Sequence, residues 1–220
     1  MDEASSALGV LGGTFDPIHN AHLRLALEAR SAGNLSEVCL VPAGQPPHRS
    51  SPVASPADRL AMARLAVAEL PGLSIDAGEV ESPQPSYTVH TLERLRLRVG
   101  PARPLVLIVG ADAFTGLASW FRWRTLFELA HVLVATRPGH TLDPLHMAAD
   151  LAAEHGLRQG IASDFQSAPA GRIVQFAMTP MEISATAVRL RLASGNLPQE
   201  WLPPDVLDYI SRNHLYENKN

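Results

Sequence analysis

Two histidines, His19 and His22, follow a glycine pair and an Asp-Pro step in the run Gly12-Gly13-Thr14-Phe15-Asp16-Pro17-Ile18-His19-Asn20-Ala21-His22. An apolar run precedes this segment and an amphipathic one follows it, so the chain opens as strand, glycine turn and helix. Such a turn aims backbone N–H groups and a helix N-terminus at a ligand, and anions gain most there. Residues three apart in the first turn of a helix share a face. Two imidazoles in that place suit the handling of phosphate. His-x-x-His can also hold zinc, but that requires a further placed ligand, and the sequence offers no second cluster with ligand spacing.

A second constellation lies near the other end, in Ile183-Ser184-Ala185-Thr186-Ala187-Val188-Arg189. Ser184 suits an N-cap. Thr186 and Arg189 fall within the same turn and a half, with Arg189 placed as a charge clamp. Two anion-binding helix ends in one α/β domain point to a nucleoside triphosphate held between them. There is no Gly-x-x-x-x-Gly-Lys-Ser/Thr, which excludes a P-loop protein, and no Gly-x-Gly-x-x-Gly after the first strand, which disfavours a dinucleotide dehydrogenase.

The chain of 220 residues, 46% of them hydrophobic, fits one large domain, or one domain with a small appendage. A net charge of −4 argues against bulk electrostatic attraction to nucleic acid or an anionic membrane. Phosphate affinity must then be local, as in a small-molecule site. The single cysteine, Cys39, sits in an apolar run and reads as a small buried hydrophobe. The acidic start lacks a signal-peptide core, and no apolar run approaches the roughly 20 residues of a membrane span, so a cytoplasmic protein is expected.

Apolar strand-like runs fall at residues 7–11, 38–41, 73–75, 105–109, 132–135 and 173–176. Their hydrophobicity is continuous rather than alternating, which predicts a parallel sheet covered on both faces. Helical patterns lie between them. Ser55-Pro56-Ala57-Asp58 opens one that runs to about residue 70, and Ser86 is the expected cap of another over 86–98. Further helices are predicted over about 143–155, opened by Asp143-Pro144, and over 184–194 and 204–213. The fold class is therefore α/β: a doubly wound, mainly parallel Rossmann-like sheet flanked by helices, with ligands at the C-terminal strand ends. The expected organisation is a single domain over 1–220, with a small helical C-terminal part at 185–220. Residues 158–171 read as a surface loop, and the proline-rich stretch 42–56 as a long functional one.

The opening run resembles the Gly-Gly-x-Phe-Asp-Pro-x-His-x-Gly-His signature of the nucleotidyltransferase superfamily, and Ile183–Arg189 resembles its Ile-Ser-x-Thr-x-x-Arg signature. Three middle segments are similar to bacterial nicotinate-nucleotide adenylyltransferases. They are Pro46-Pro47-His48-Arg49, Ser86-Tyr87-Thr88-Val89-His90-Thr91-Leu92, and Gly110-Ala111-Asp112 with Trp120 and Trp123 beyond. Tyr209-Ile210 and Leu215-Tyr216 fit that family's closing helix. Two positions depart from the pattern. Ala21 stands where the family usually has glycine, and His90 where it usually has aspartate, which changes the local charge.

The resemblance implies that the 5′-phosphate of nicotinate mononucleotide attacks the α-phosphorus of ATP, with pyrophosphate leaving and deamido-NAD formed. Mg2+ would accompany the triphosphate, held mainly by phosphate and water and not by side chains. His19, His22 and Arg189 are the expected catalytic groups. ATP would meet Gly12, Gly13, Thr14, Phe15, His19, His22, Gly110, Asp112, Ile183, Ser184, Thr186 and Arg189. The mononucleotide would meet Thr14, Phe15, His48, Arg49, Thr88, Trp120, Phe121 and Arg137. His131, His146, His155 and His214 belong to no constellation and read as structural or exposed. No nucleic-acid or membrane partner is implied, and a homo-oligomer stays open. The alternatives are preference for nicotinamide mononucleotide or phosphopantetheine as acceptor, or a non-catalytic nucleotide sensor on the same fold.

Overall fold

The computed structural model describes residues 6–46 and 52–217. Its strands are β1 (Leu8–Gly13), β2 (Glu37–Pro42), β3 (Leu73–Ile75), β4 (Leu105–Gly110), β5 (His131–Thr136) and β6 (Ile173–Ala177). They form one parallel sheet in the order β3-β2-β1-β4-β5-β6. Leu8 pairs with Leu105, Val106 with His131 and Val132 with Ile173. Every residue of β5 is buried, and so are the first five of β4. That burial is why these strands read as unbroken apolar runs. Chain order reverses at β1, the topology of doubly wound sheets, whose ligands gather at C-terminal strand ends. Each strand lies where its apolar run predicted.

Among the described residues eight α-helices flank the sheet: α1 (Asn20–Ala32), α2 (Pro56–Val67), α3 (Thr88–Val99), α4 (Ala111–Thr115), α5 (Trp123–Leu129), α6 (Ala149–Arg158), α7 (Ala185–Ala193) and α8 (Pro204–Arg212). None is long and apolar enough to cross a membrane. The Ser55 hydroxyl accepts from the Asp58 N–H at 3.1 Å and caps α2, with Pro56 at its first position. Ser184 caps α7 in the same way, accepting from the Ala187 N–H at 3.2 Å.

Three local expectations are corrected. Ser86 does not cap α3. Its hydroxyl accepts from the Gly44 and Gln45 N–H groups at 2.9 and 3.1 Å, and the helix starts behind Tyr87. Asp143-Pro144 opens only the short 3-10 turn Pro144–His146, and α6 begins after it. The stretch 158–171 is no plain surface loop: it carries the 3-10 turn Ala162–Gln166, whose Phe165 is fully buried. One aromatic anchor inside a polar, glycine-bearing segment leaves no periodic signal. Helices α4 and α5, at 5 and 7 residues, are likewise too short to show one.

The chain falls into two compact units. The first is drawn from the described residues of Met1–Leu11, Ala26–Cys39 and Tyr87–Pro180. Cys39 is buried there. His131 is also buried in it, accepting from the Arg172 N–H at 3.0 Å through Nδ1, so its Nε2 donates to the Ala168 carbonyl at 2.8 Å. The second unit is drawn from Gly12–Leu25, Leu40–Ser86 and Met181–Asn220. Tyr209 of α8 donates to Asp58 of α2 at 3.0 Å within it.

Candidate active site

Both motifs from the ends of the chain lie in the second unit. β1 stops at Gly13, and the chain turns through Phe15 at a φ of 49°. A left-handed bulky residue costs about 1–2 kcal/mol, so the surroundings must hold it. Gly13 is part of that hold. A Cβ there would stand 2.5 Å from the Phe15 ring, so only glycine lets the ring fold back. Around Gly12, by contrast, no described residue beyond its chain neighbours comes within 4 Å of where its Cβ would be. The Phe15 ring meets His22 edge-on, with centroids 5.0 Å apart.

Helix α1 begins at Asn20, so His19 stands just before the helix and not inside its first turn. The pair still converges. The imidazoles stack with centroids 3.7 Å apart and planes 19° from parallel. The His19 backbone N–H donates to His22 Nδ1 at 3.2 Å, so a neutral His22 carries its proton on Nε2. His19 is buried, its Nδ1 has no partner among the described residues, and burial pushes its pKa down to about 4. It is therefore a neutral ring at pH 7. The first N–H of α1 is taken: Asn20 donates from its backbone to the Trp201 carbonyl at 2.8 Å and from its side chain to that of Glu200 at 2.9 Å.

Arg189 reaches back from α7 to the opening loop. It donates to the Asp16 carbonyl at 2.7 Å and to Thr186 Oγ1 at 3.2 Å, and lies 3.7 Å from Asp16 Oδ2. Asp16 is itself buried, and both its oxygens are occupied. Oδ2 accepts from the Val53 N–H at 2.8 Å, while Oδ1 accepts from the Ala54 N–H at 3.1 Å and the Tyr216 hydroxyl at 2.8 Å. Arg59 of α2 is fully buried and ties Thr14 to the start of the long loop, donating to the Thr14 carbonyl at 2.6 Å and the Gly44 carbonyl at 3.1 Å. Burial lowers its pKa, and the Asp16 charge opposes that shift. Gly44 admits no side chain, because a Cβ would run into the Glu79 carbonyl. Ile183 is half-buried beside the cap.

Gly110, Asp112, Thr88, Trp120, Phe121 and Arg137 lie in the first unit. Gly110 ends β4 and caps α4, while Asp112 is exposed within that helix and does not cap it. Thr88 is the first residue of α3, and no side chain caps that helix start. Beside it an aromatic group assembles: Phe121, 46% exposed, lies 4.8 Å from the Tyr87 ring and 5.7 Å from His90. The next residue, Arg122, pairs with Glu93 of α3 at 2.9 Å. Trp120 is half-buried. Arg137 is exposed just past β5. His48 and Arg49 lie outside the described residues.

The cytidylyltransferase-like family matches this chain over residues 10–191. A protein of Dechloromonas aromatica described as a probable nicotinate-nucleotide adenylyltransferase is 50% identical over 215 residues, 97% of this chain and 99% of that protein. The chain belongs to the nicotinate-nucleotide adenylyltransferase family. A relative of the same description from Laribacter hongkongensis is 47% identical, over 97% of this chain and 96% of its own. The fold is also that of the Plasmodium falciparum nicotinic acid mononucleotide adenylyltransferase solved with NaAD, at a TM-score of 0.70 and 16% identity, covering 96% and 97% of the two chains. In this member of the nicotinate-nucleotide adenylyltransferase family, sequence reasoning left Asp16, Arg59 and Tyr216 without a role. Asp16 carried a signal by standing inside the opening motif and Tyr216 by fitting the family's closing segment, whereas Arg59 carried none.

Proposed function

We propose that this adenylyltransferase joins ATP to nicotinate mononucleotide, giving deamido-NAD and pyrophosphate in NAD biosynthesis, and that it acts as one catalytic domain. The observation that carries the reading is the stacked His19–His22 pair on a loop whose Asp16 carbonyl also anchors Arg189 at 2.7 Å. That loop joins the two signature motifs through a direct hydrogen bond.

In the reaction an oxygen of the mononucleotide 5′-phosphate forms a bond to the α-phosphorus, and the bond from that phosphorus to the α,β-bridging oxygen breaks. A phosphate dianion is already a competent nucleophile, so the protein's task is alignment and charge stabilisation. His22, with its proton on Nε2, and the neutral His19 donate to oxygens around the α-phosphate. Neutral rings supply hydrogen bonds without a fixed charge that would hold pyrophosphate too tightly. Arg189 neutralises the β- and γ-phosphates, and Ser184, Thr186 and Ile183 frame them at the start of α7. Gly12 gives the triphosphate room, and Thr14 and Phe15 contact both phosphates from the loop. Gly110 and Asp112 receive the ribose and adenine.

The acceptor half is assigned to Thr88, Trp120 and Phe121 around the pyridine ring and carboxylate, with His48, Arg49 and Arg137 for the mononucleotide phosphate. Mg2+ fits as a companion of the triphosphate. Asp16, the acid within the opening motif, already commits both oxygens to Val53, Ala54 and Tyr216, which leaves the ion to phosphate oxygens and water. When bound it supplies further charge neutralisation at the triphosphate.

The test is steady-state turnover with Mg-ATP and, in parallel, nicotinate mononucleotide, nicotinamide mononucleotide and phosphopantetheine. A preference for the acid of at least about tenfold, or ~1.4 kcal/mol, is expected. Equal rates on acid and amide would overturn the carboxylate assignment, and no turnover with any of them would leave a nucleotide sensor.

A further inference from the structure

We infer that Tyr216 is a positioning residue for the triphosphate, acting through Asp16 on Arg189. Tyr216 is 7% exposed and stands 200 positions from Asp16 in sequence, yet its hydroxyl donates to Asp16 Oδ1 at 2.8 Å. The chain after α8 is bent to bring it there: His214 and Tyr216 both adopt left-handed backbone, at φ 50° and 65°. Two such bulky residues in a row of three are strained, and the hydroxyl contact is one of the interactions that hold the second.

Among the described residues the Asp16 carboxylate is shared among three donors besides Arg189: Val53, Ala54 and Tyr216. This sharing keeps it 3.7 Å from the guanidinium, while the Asp16 carbonyl takes the direct hydrogen bond. Without the Tyr216 hydroxyl, Oδ1 loses one of its two donors. The carboxylate then compensates by turning toward Arg189 and drawing the guanidinium into a closer pair. An arginine neutralised by its own protein has less charge to give to phosphate. The inference rests on Arg189 meeting the β- and γ-phosphates, as proposed above.

The experiment is calorimetric binding of the magnesium complex of α,β-methylene-ATP to wild type, Tyr216→Phe, Arg189→Ala and the double variant. Tyr216→Phe should weaken binding about three- to tenfold, the effect of one hydrogen bond. In the Arg189→Ala background it should change binding by less than about twofold, because the residue it acts through is gone. A purely structural role would weaken both backgrounds alike, and that result overturns the inference. So does unchanged binding in Tyr216→Phe. If that variant does not fold, Asp16→Asn, which removes the charge that competes with phosphate for Arg189, must alter binding when Arg189 is present and by less than about twofold in the Arg189→Ala background; an equal change in both backgrounds overturns the inference. A wild type that fails to bind the nucleotide overturns the triphosphate site itself, whereas a wild type that binds while Tyr216→Phe is unaffected overturns only the role of Tyr216.

Discussion

His19 donates its backbone N–H to His22 Nδ1 at 3.2 Å while the two imidazoles stack at 3.7 Å. One contact thus sets both the ring orientation and the tautomer of His22. In the proposed reaction a pair fixed in this way would serve as preorganised donors, the condition for electrostatic catalysis.

His19→Ala removes one of these donors and the stacking surface of the other. Turnover should fall at least about 100-fold, near the ~3 kcal/mol of one lost transition-state donor. Rate measurements on a variant of unchanged melting temperature decide this. A loss below about tenfold would take His19 out of the mechanism.

Arg189→Ala should raise KM for ATP more than KM for the mononucleotide. The guanidinium belongs to the triphosphate end in this reading, and its fork cannot be replaced by a shorter group. Arg189→Lys, which keeps a charge but cannot reach both the Asp16 carbonyl and Thr186 Oγ1, should recover only part of the loss. The opposite KM pattern would mean that the two substrate ends are reversed.

Arg59→Met keeps much of the buried bulk of Arg59 but strands the Thr14 and Gly44 carbonyls. Each stranded polar group costs about 1–3 kcal/mol, so a destabilisation of several kcal/mol is expected in urea unfolding. Activity per folded molecule should fall as well, since Thr14 carries the chain into the left-handed Phe15.

Burial lowers the pKa of His19, His131 and His155 in the folded state. The unfolded chain then binds more protons below the ordinary histidine value of 6.5, and stability falls as pH drops from there, for His19 until about 4. The stabilisation is complete above that ordinary value. Equilibrium unfolding between neutral and acid pH should show this slope.

His155 offers a separate check, because among the described residues neither of its ring nitrogens has a partner and its ring packs on Phe114 at 5.9 Å. His155→Leu should stabilise the protein by about 1 kcal/mol at neutral pH and by more in acid. A less stable variant at both pH values would show that the imidazole earns its place by a contact that Leu cannot make.

The amino-acid sequence by itself determined six strands, because doubly covered strands are unbroken apolar runs, and it determined the caps at Ser55 and Ser184, because a cap is a contact three residues long. It also placed His19 and His22 together, since a turn and a helix start fix residues that are close in sequence. Tertiary structure alone decided that Ser86 holds Gly44 instead of capping α3, that Phe165 anchors a segment that reads as loop, and that Phe121 rests on Tyr87 and His90. It alone decided that Tyr216 shares the carboxylate that flanks Arg189. Hydrophobic periodicity and capping are local and leave a pattern in sequence. A buried polar group leaves none, because its desolvation is offset only by partners that the fold brings from far along the chain.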